Sequence, residues 1–451
     1  MGNDSGIKHS FVDTTVENGQ TYYYAVVAYD QGFMTTAVNG EVQGIPPSEN
    51  TTIIKVDING NVKTDINTAV VIPKAPGAGY IAPKVQNVDA SGPGTGSVSL
   101  TVLDPDSVKN YNTYRLEFEN HSAFNNNSMP YYRLINYSSK DTLIPLTQFD
   151  GGEIQTSVFD GISLDVKNDT SVTINTEKTG WVSGSSNYRV ETGFDSRFAA
   201  AYQSKRVNIP ADFEIELTQP GQGDTSYPSS SFSKPLPSNI IVKDLTDKID
   251  HMQFIFRDED NNGIFSAGDA VFIVCGDSID QKATSFVNLH VGWSVSLQID
   301  TTIPSDAQIA PQPGDVYRVY TTKPFRTGEY YQFTSQSAYF DKAKFAQDLN
   351  DVAVVPNPYA GAASWEPAQN VEGRGERRVY FIHLPAKCTI RIYTMSGNLV
   401  RSLYHDAPLA DGQEPWNLVS KDGMDISFGV YVFNVEAPGL GSKTGRFAVI
   451  K

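Results

Sequence analysis

The residues best placed to do chemistry lie between Asp258 and Asp269, in the run DEDNNGIFSAGD. Oxygen donors fall at positions 1, 3, 5, 7, 9 and 12 of a calcium-type loop: Asp258, Asp260, Asn262, the Ile264 carbonyl, Ser266 and Asp269. Gly263 takes position 6, where the sharp turn needs a residue without a Cβ. Hard oxygen ligands at this spacing suit Ca²⁺ and would not select zinc or copper. Two features depart from the helix-flanked calcium loop. Position 12 is Asp, one carbon shorter than the usual bidentate Glu, and the flanks HMQFIF and AVFIVCG read as strands. The expectation is a structural calcium staple on a β-connection. The competing reading is an acidic Asn-Gly turn open to water.

A second acidic group is Asp212, Glu214 and Glu216 in DFEIEL. Period 2 puts all three on one face of a strand. Paired carboxylates can hydrolyse glycosides, but alternation with Phe213 and Ile215 describes a solvent face equally well. There is no GxSxG, P-loop or GxGxxG, and six scattered histidines form no HExxH. The two cysteines, Cys275 and Cys388, are too few for a disulfide framework or a four-cysteine zinc site. Free cysteines are usually core residues. Trp181, Trp293, Trp365 and Trp416 are spread too far apart to mark a sugar-binding platform and read as core. No catalytic residue is assigned, and the chain is expected not to be an enzyme.

The elements that must hold such a loop are strands. Runs alternating with period 2 include Ser97–Leu103, Phe213–Leu217, Met252–Phe256, Ala270–Cys275, Ser294–Ile299, Val316–Thr321 and Tyr330–Phe333. Many short strands without a βαβ rhythm predict an all-β chain of tandem antiparallel sandwiches. Helical spacing is confined to Asp341–Asn350, where Phe345 and Leu349 fall at i, i+4, and to a weaker stretch near Arg197–Gln203. Pro/Gly clusters at Gly44–Asn50, Val71–Pro83, Ser91–Gly96 and Gln219–Ser233 read as linkers or loops. The predicted organisation is a short β piece over 1–48, an extended linker over 49–95, and one or two sandwiches over 96–340. A helical spacer over 341–352 and a β domain over 353–451 follow.

Composition is consistent with this. The 451 residues give a prior of about three domains, and 39% hydrophobic residues exclude wholesale disorder. A net charge of −16 without any basic block argues against nucleic acid and anionic lipid as partners. No apolar run is long enough for a membrane span, and the opening MGNDSGIKHS lacks the apolar core of a signal peptide.

Two resemblances add to this reading. FVDTTVENGQTYYYAVVAYD at 11–30, with Tyr22, Tyr24, Val26 and Ala28 on one strand face, resembles the last strands of a fibronectin type III domain. Only the end of such a domain is covered. The chain is therefore expected to be a fragment, with packing on the next domain or completion by a neighbouring chain as alternatives. More specifically, PNPY at 356–359, IRIYTMSGNLVRSL at 390–403, the Trp416 strand, GVYVFNV at 429–435 and the terminal GRFAVIK resemble a carboxy-terminal module of secreted Bacteroidetes-type proteins. That module is the immunoglobulin-like type IX secretion sorting domain, related to the flagellar hook-cap sandwich. FDGISLDV at 159–166 and PADFEIEL at 210–217 look like the β-rich body that precedes it.

The resemblance implies export by type IX secretion, with the terminal module as the partner of that machinery, its cleavage left open, and Lys443, Arg446 and Lys451 available to be read. Asp106-Ser107-Val108 and Asp141-Thr142-Leu143 resemble O-glycan acceptors of the same bacterial group. The expected function is a non-catalytic extracellular or outer-membrane surface protein, structural or adhesive, self-associating if it is a filament subunit. The alternative is a carbohydrate-binding accessory module of a larger secreted enzyme, with glycans as partners.

Overall fold

The computed structural model describes residues 11, 13–30, 32–36, 42–56, 62–121, 124, 130–194, 200–228, 235–360 and 377–450. The chain is nearly all β, with short helices at Ala200–Gln203 and Lys342–Asp348. It divides into two compact units, Lys84–Gln336 and the combination of Met1–Pro83 with Ser337–Lys451.

Lys84–Gln336 contains two sandwiches, one inserted into the other. The outer one packs a five-stranded antiparallel sheet on a three-stranded one. The first has the order Asp141–Gln148, Tyr131–Asn136, Thr113–Glu119, Tyr330–Gln336, Lys84–Ser91, and the second has Glu153–Gln155, Ile162–Lys167, Ser97–Val102. Alternation explains the pairing. Tyr114, Leu116 and Phe118 point inward onto Ile162, Leu164 and Val166, and Arg115, Glu117 and Glu119 take the opposite face.

The chain leaves this sandwich after Ile162–Lys167 and builds the inserted one before returning at Tyr330. The inserted sheets have the orders Gly180–Ser183, Val316–Val319, Phe213–Leu217, Ile240–Asp244 and Arg189–Gly193, His290–Gln298, Ala270–Cys275, Gln253–Arg257. Phe213, Ile215, Phe254, Phe256, Val271 and Trp293 meet in the core between them. Every residue of Ala270–Cys275 is buried, because its second face packs on a smaller cluster with Tyr202 and Leu289. The outgoing and returning segments are tied together. Asn175 N–H donates to Tyr320 O (2.8 Å) and Thr322 N–H to Thr173 O (2.8 Å). The buried Lys323 Nζ meets Asp212 Oδ1 at 2.6 Å.

In the other unit, the terminal sandwich packs Ala353–Val355, Val379–Ile382, Glu414–Trp416 on Tyr359–Ala360, Gly441–Ile450, Gly429–Ala437, Lys387–Thr394, Leu399–Asp406. Its core holds Trp416, Phe381, Ile390, Phe433 and Phe447. Pairing is antiparallel except between Tyr359–Ala360 and Gly441–Ile450. Cis peptides precede Pro356 and Pro358. The amino-terminal strands pair as separate two-stranded ribbons: Tyr22–Ala25 with Thr68–Val71, Phe33–Thr36 with Val42–Ile45, and Ile54–Val56 with Val62–Thr64. Tyr22 and Tyr24 do share a face, with ring centroids 6.3 Å apart.

Two expectations about organisation change. The stretch 49–95 is not an extended linker. It contains paired strands, and Lys84–Ser91 forms the edge of the five-stranded sheet against Tyr330–Gln336. Its register partner lies about 240 residues away by the sequence separation of Tyr330 and Asp89, so no local pattern could mark it. The region 96–340 holds two sandwiches, within the one or two expected, and one interrupts the other. The helix is Lys342–Asp348 and does not act as a spacer: Phe345 is buried in the terminal core, and Asp341 caps the first turn by accepting from Lys344 N–H (2.6 Å).

Candidate metal centre

The acidic run forms the connection between two adjacent strands, Gln253–Arg257 and Ala270–Cys275, which pair antiparallel with Arg257 opposite Ala270. The hairpin register therefore brings the two ends of the loop, Asp258 and Asp269, side by side. Asn261 and Gly263 both adopt positive φ (59° and 73°), which is the turn that position 6 requires.

Carboxylate oxygens of Asp258, Asp260 and Asp269 all lie within 4.8 Å of one another. Calcium binds oxygens at about 2.3–2.6 Å, so ligands on opposite sides of one ion stand about 5 Å apart. The loop organises these oxygens with its own N–H groups. Asp258 Oδ2 accepts from Gly263 N (2.7 Å), Asn262 Oδ1 from Ile264 N (2.6 Å), and Asp269 Oδ2 from Ser266 N (2.7 Å) and Ser266 Oγ (2.9 Å). Asp260 accepts from Asn262 Nδ2 (2.6 Å) and Ser266 Oγ (3.4 Å). Three of the six expected ligand residues, Asp258, Asp260 and Asp269, thus bring carboxylate oxygens together; Ser266 Oγ bonds to two of them, whereas Asn262 presents its Nδ2 to Asp260 and spends its Oδ1 on Ile264 N.

Asp269 is fully buried. Burial pushes its carboxyl up, the neighbouring charge of Asp258 adds to that, and hydrogen bonds from Glu259 and Ser266 oppose it. No ion pair among the described residues reaches Asp258, Asp260 or Asp269. Arg257, the nearest cation in sequence, pairs with Glu259 instead (2.6 Å). Three gathered carboxylates, one of them out of water, have no counter-charge among the described residues. The donor set is all oxygen, which fits Ca²⁺.

Asn239 belongs to this site and carries no sequence signal. Its Oδ1 accepts from Phe265 N (2.8 Å), and the Phe265 side chain is buried in the inserted core. The loop is thereby pinned from a strand start 26 residues away.

The other candidate residues have structural surroundings. Glu214 is held by Lys243 Nζ (3.1 Å) and Arg318 Nη2 (2.8 Å), and Glu216 by the same lysine (2.7 Å). Burial raises the Glu214 carboxyl, but the hydrogen bonds from Arg318 and Lys243 outweigh that and hold it below its ordinary value. Asp212 is committed to Lys323. Cys275 and Cys388 are free and buried, with thiols pushed by burial to about 12. Trp293 donates to Ile209 O (2.8 Å) from the core, Trp416 donates to Val419 O (3.0 Å), and Trp181 donates to Tyr188 O (3.1 Å). Trp365 and Lys451 lie outside the described residues. On Gly441–Ile450, Lys443 is half-buried and Arg446 is exposed. Ser107 and Thr142 are exposed.

No family model and no curated protein matches the chain. Among solved structures it is similar to PorZ, an essential bacterial surface component of the type-IX secretion system of Porphyromonas gingivalis, with 13% identity, 72% of this chain and 56% of PorZ covered, and a TM-score of 0.20. It is similar to dimeric latent PorU from the same organism, with 13% identity, 94% of this chain and 41% of PorU covered, and a TM-score of 0.16. A tetra-tandem repeat in the extending region of a large adhesion protein aligns with 10% identity over 97% of this chain and 93% of the repeat, with a TM-score of 0.12. The chain spans little more than half of PorZ and less than half of PorU, and TM-scores this low do not establish a shared fold.

Proposed function

We propose that this chain is a non-catalytic structural or adhesive protein of the cell surface or extracellular space, with a calcium ion stapling its inserted sandwich. The acidic loop is the observation that carries this reading. Asp212, Glu214 and Glu216 are neutralised by lysine or arginine. Asp258, Asp260 and Asp269 converge without a cation among the described residues. The first arrangement stiffens sheets and the second suits a divalent ion, and neither presents a free carboxylate pair to a substrate. A site that needs calcium to close also suits compartments where calcium is plentiful, since weak loops of this kind fill at about 10⁻⁴–10⁻³ M.

Ca²⁺ at a hundredfold excess over its dissociation constant adds about 2.7 kcal/mol, or about 5–10 °C in melting temperature for a unit of this size. Asp258→Ala combined with Asp260→Ala should abolish that rise. A wild-type melting temperature indifferent to both calcium and chelator removes the metal.

Export by the type IX route rests on the resemblance of residues 356–451 to the sorting module, together with their two-sheet fold. In a bacterium with that secretion system, deleting 353–451 should leave the protein inside the outer membrane. Unchanged surface or medium levels would reject the route.

A further inference from the structure

The outward face of the five-stranded sheet carries two ordered arginines, Arg115 and Arg133. Arg115 lies between two tyrosine rings, 4.4 Å from the Tyr137 centroid and 4.2 Å from the Tyr330 centroid. Its Nε and Nη2 both donate to Gln332 Oε1 (3.1 and 2.7 Å), which leaves Nη1 without a partner among the described residues. One strand further, Arg133 donates through Nε (2.7 Å) and Nη2 (2.6 Å) to Glu117 Oε2, so Arg133 Nη1 and Glu117 Oε1 are also unspent among the described residues. These groups border a cavity of about 380 Å³, which Tyr330 and the exposed Leu146 also line. That volume lies within the range of small-ligand sites, about 300–1,000 Å³.

The chemistry of the cavity narrows the ligand. Arg115 and Arg133 balance Glu117 and Glu119, and Glu329, which also borders it, turns its carboxylate to Gly94 N (3.2 Å). Carboxylates in the lining repel phosphate and acidic ligands, and the arginines repel cations. Thr113–Glu119 and Tyr131–Asn136, the strands that carry the two arginines, are each paired on both sides, so neither offers an open edge to an extended peptide. What remains satisfied is a ligand with many hydroxyls, donating to Glu117 and accepting from the two guanidinium groups, with an apolar face against Tyr330 and Leu146.

We propose that this face binds a short stretch of a neutral polysaccharide. The ordered arginines are pre-set for it, so little side-chain freedom is lost on binding. The site is separate from the acidic loop, and it concerns a different sandwich.

Affinity electrophoresis of the full chain tests this, in native gels containing hydroxyethylcellulose, xylan, mannan or, as an anionic contrast, alginate. Retardation in at least one neutral gel is expected, with at least tenfold weaker retention for Arg133→Ala. Glu117→Gln, which keeps the side-chain shape, should weaken retention in the same gel and melt like wild type. Lys387→Ala, in the other unit, should behave as wild type. Free mobility in every neutral gel, retardation by alginate alone, or full retention by both cavity variants overturns the proposal.

Discussion

Glu329 is 5% exposed, and its carboxylate accepts from the backbone N–H groups of Gly94 and Arg326. Burial outweighs those bonds and the charge of Arg326, and raises the carboxyl from 4.5 to about 7. The folded state therefore holds the proton more tightly than the unfolded state. Stability from this group is fully present below about 4.5 and is lost as pH rises through about 7. Glu329→Gln cannot ionise and keeps the acceptor for Gly94. Melting curves over pH should show the variant matching wild type near pH 4.5 and exceeding it by up to about 3 kcal/mol above pH 7. A difference constant across pH would show that ionisation of Glu329 is not the cause. At this scale the sequence was informative where spacing is local. The convergence of Asp258, Asp260 and Asp269 could be read from their spacing, since twelve residues of one hairpin connection set their geometry. Asn239 could not, because its role depends on where another strand begins.

At the scale of elements, the glycines of SGPGTG at 91–96 mark close packing rather than a free linker. A Cβ on Gly96 would stand 2.4 Å from Lys167 O and 2.5 Å from the ring of Phe325. Phe325 is itself stacked on Phe118 with centroids 3.8 Å apart. Backbone on one side and a buried stack on the other leave nothing to yield, so Gly96→Ala should cost about 1–3 kcal/mol in denaturant melts. An unchanged midpoint would mean that the segment can move away. In the terminal sandwich, Phe345 is the residue through which the short helix reaches the core. Phe345→Ala should cost about 3–5 kcal/mol, read as a lowered unfolding midpoint for that sandwich, whereas a surface spacer would lose almost nothing. Strand positions themselves were legible. Phe213–Leu217 and Ala270–Cys275 coincide with the observed strands. Met252–Phe256 is shifted by one residue, because Arg257 still pairs with Ala270.

For the whole molecule, the insertion of one sandwich into another makes Lys84–Gln336 a unit whose first and last strands pair with each other. Residues 84–336 expressed alone should fold and keep the calcium response of the full chain, measured by melting with and without chelator. Aggregation or a lost response would show that this unit depends on the rest of the chain. The sequence by itself determined the all-β class, the strands and the ligand spacing of the acidic loop, because period-2 burial and turn chemistry are properties of neighbouring residues. Only the tertiary structure decided that Lys84–Ser91 is a strand, which carboxylates receive a cation, and where Arg115 finds its tyrosines. Those partners lie far apart along the chain, as with Asp212 and Lys323 at 111 residues, and burial and charge balance there depend on contacts that exist only after the sheets have closed.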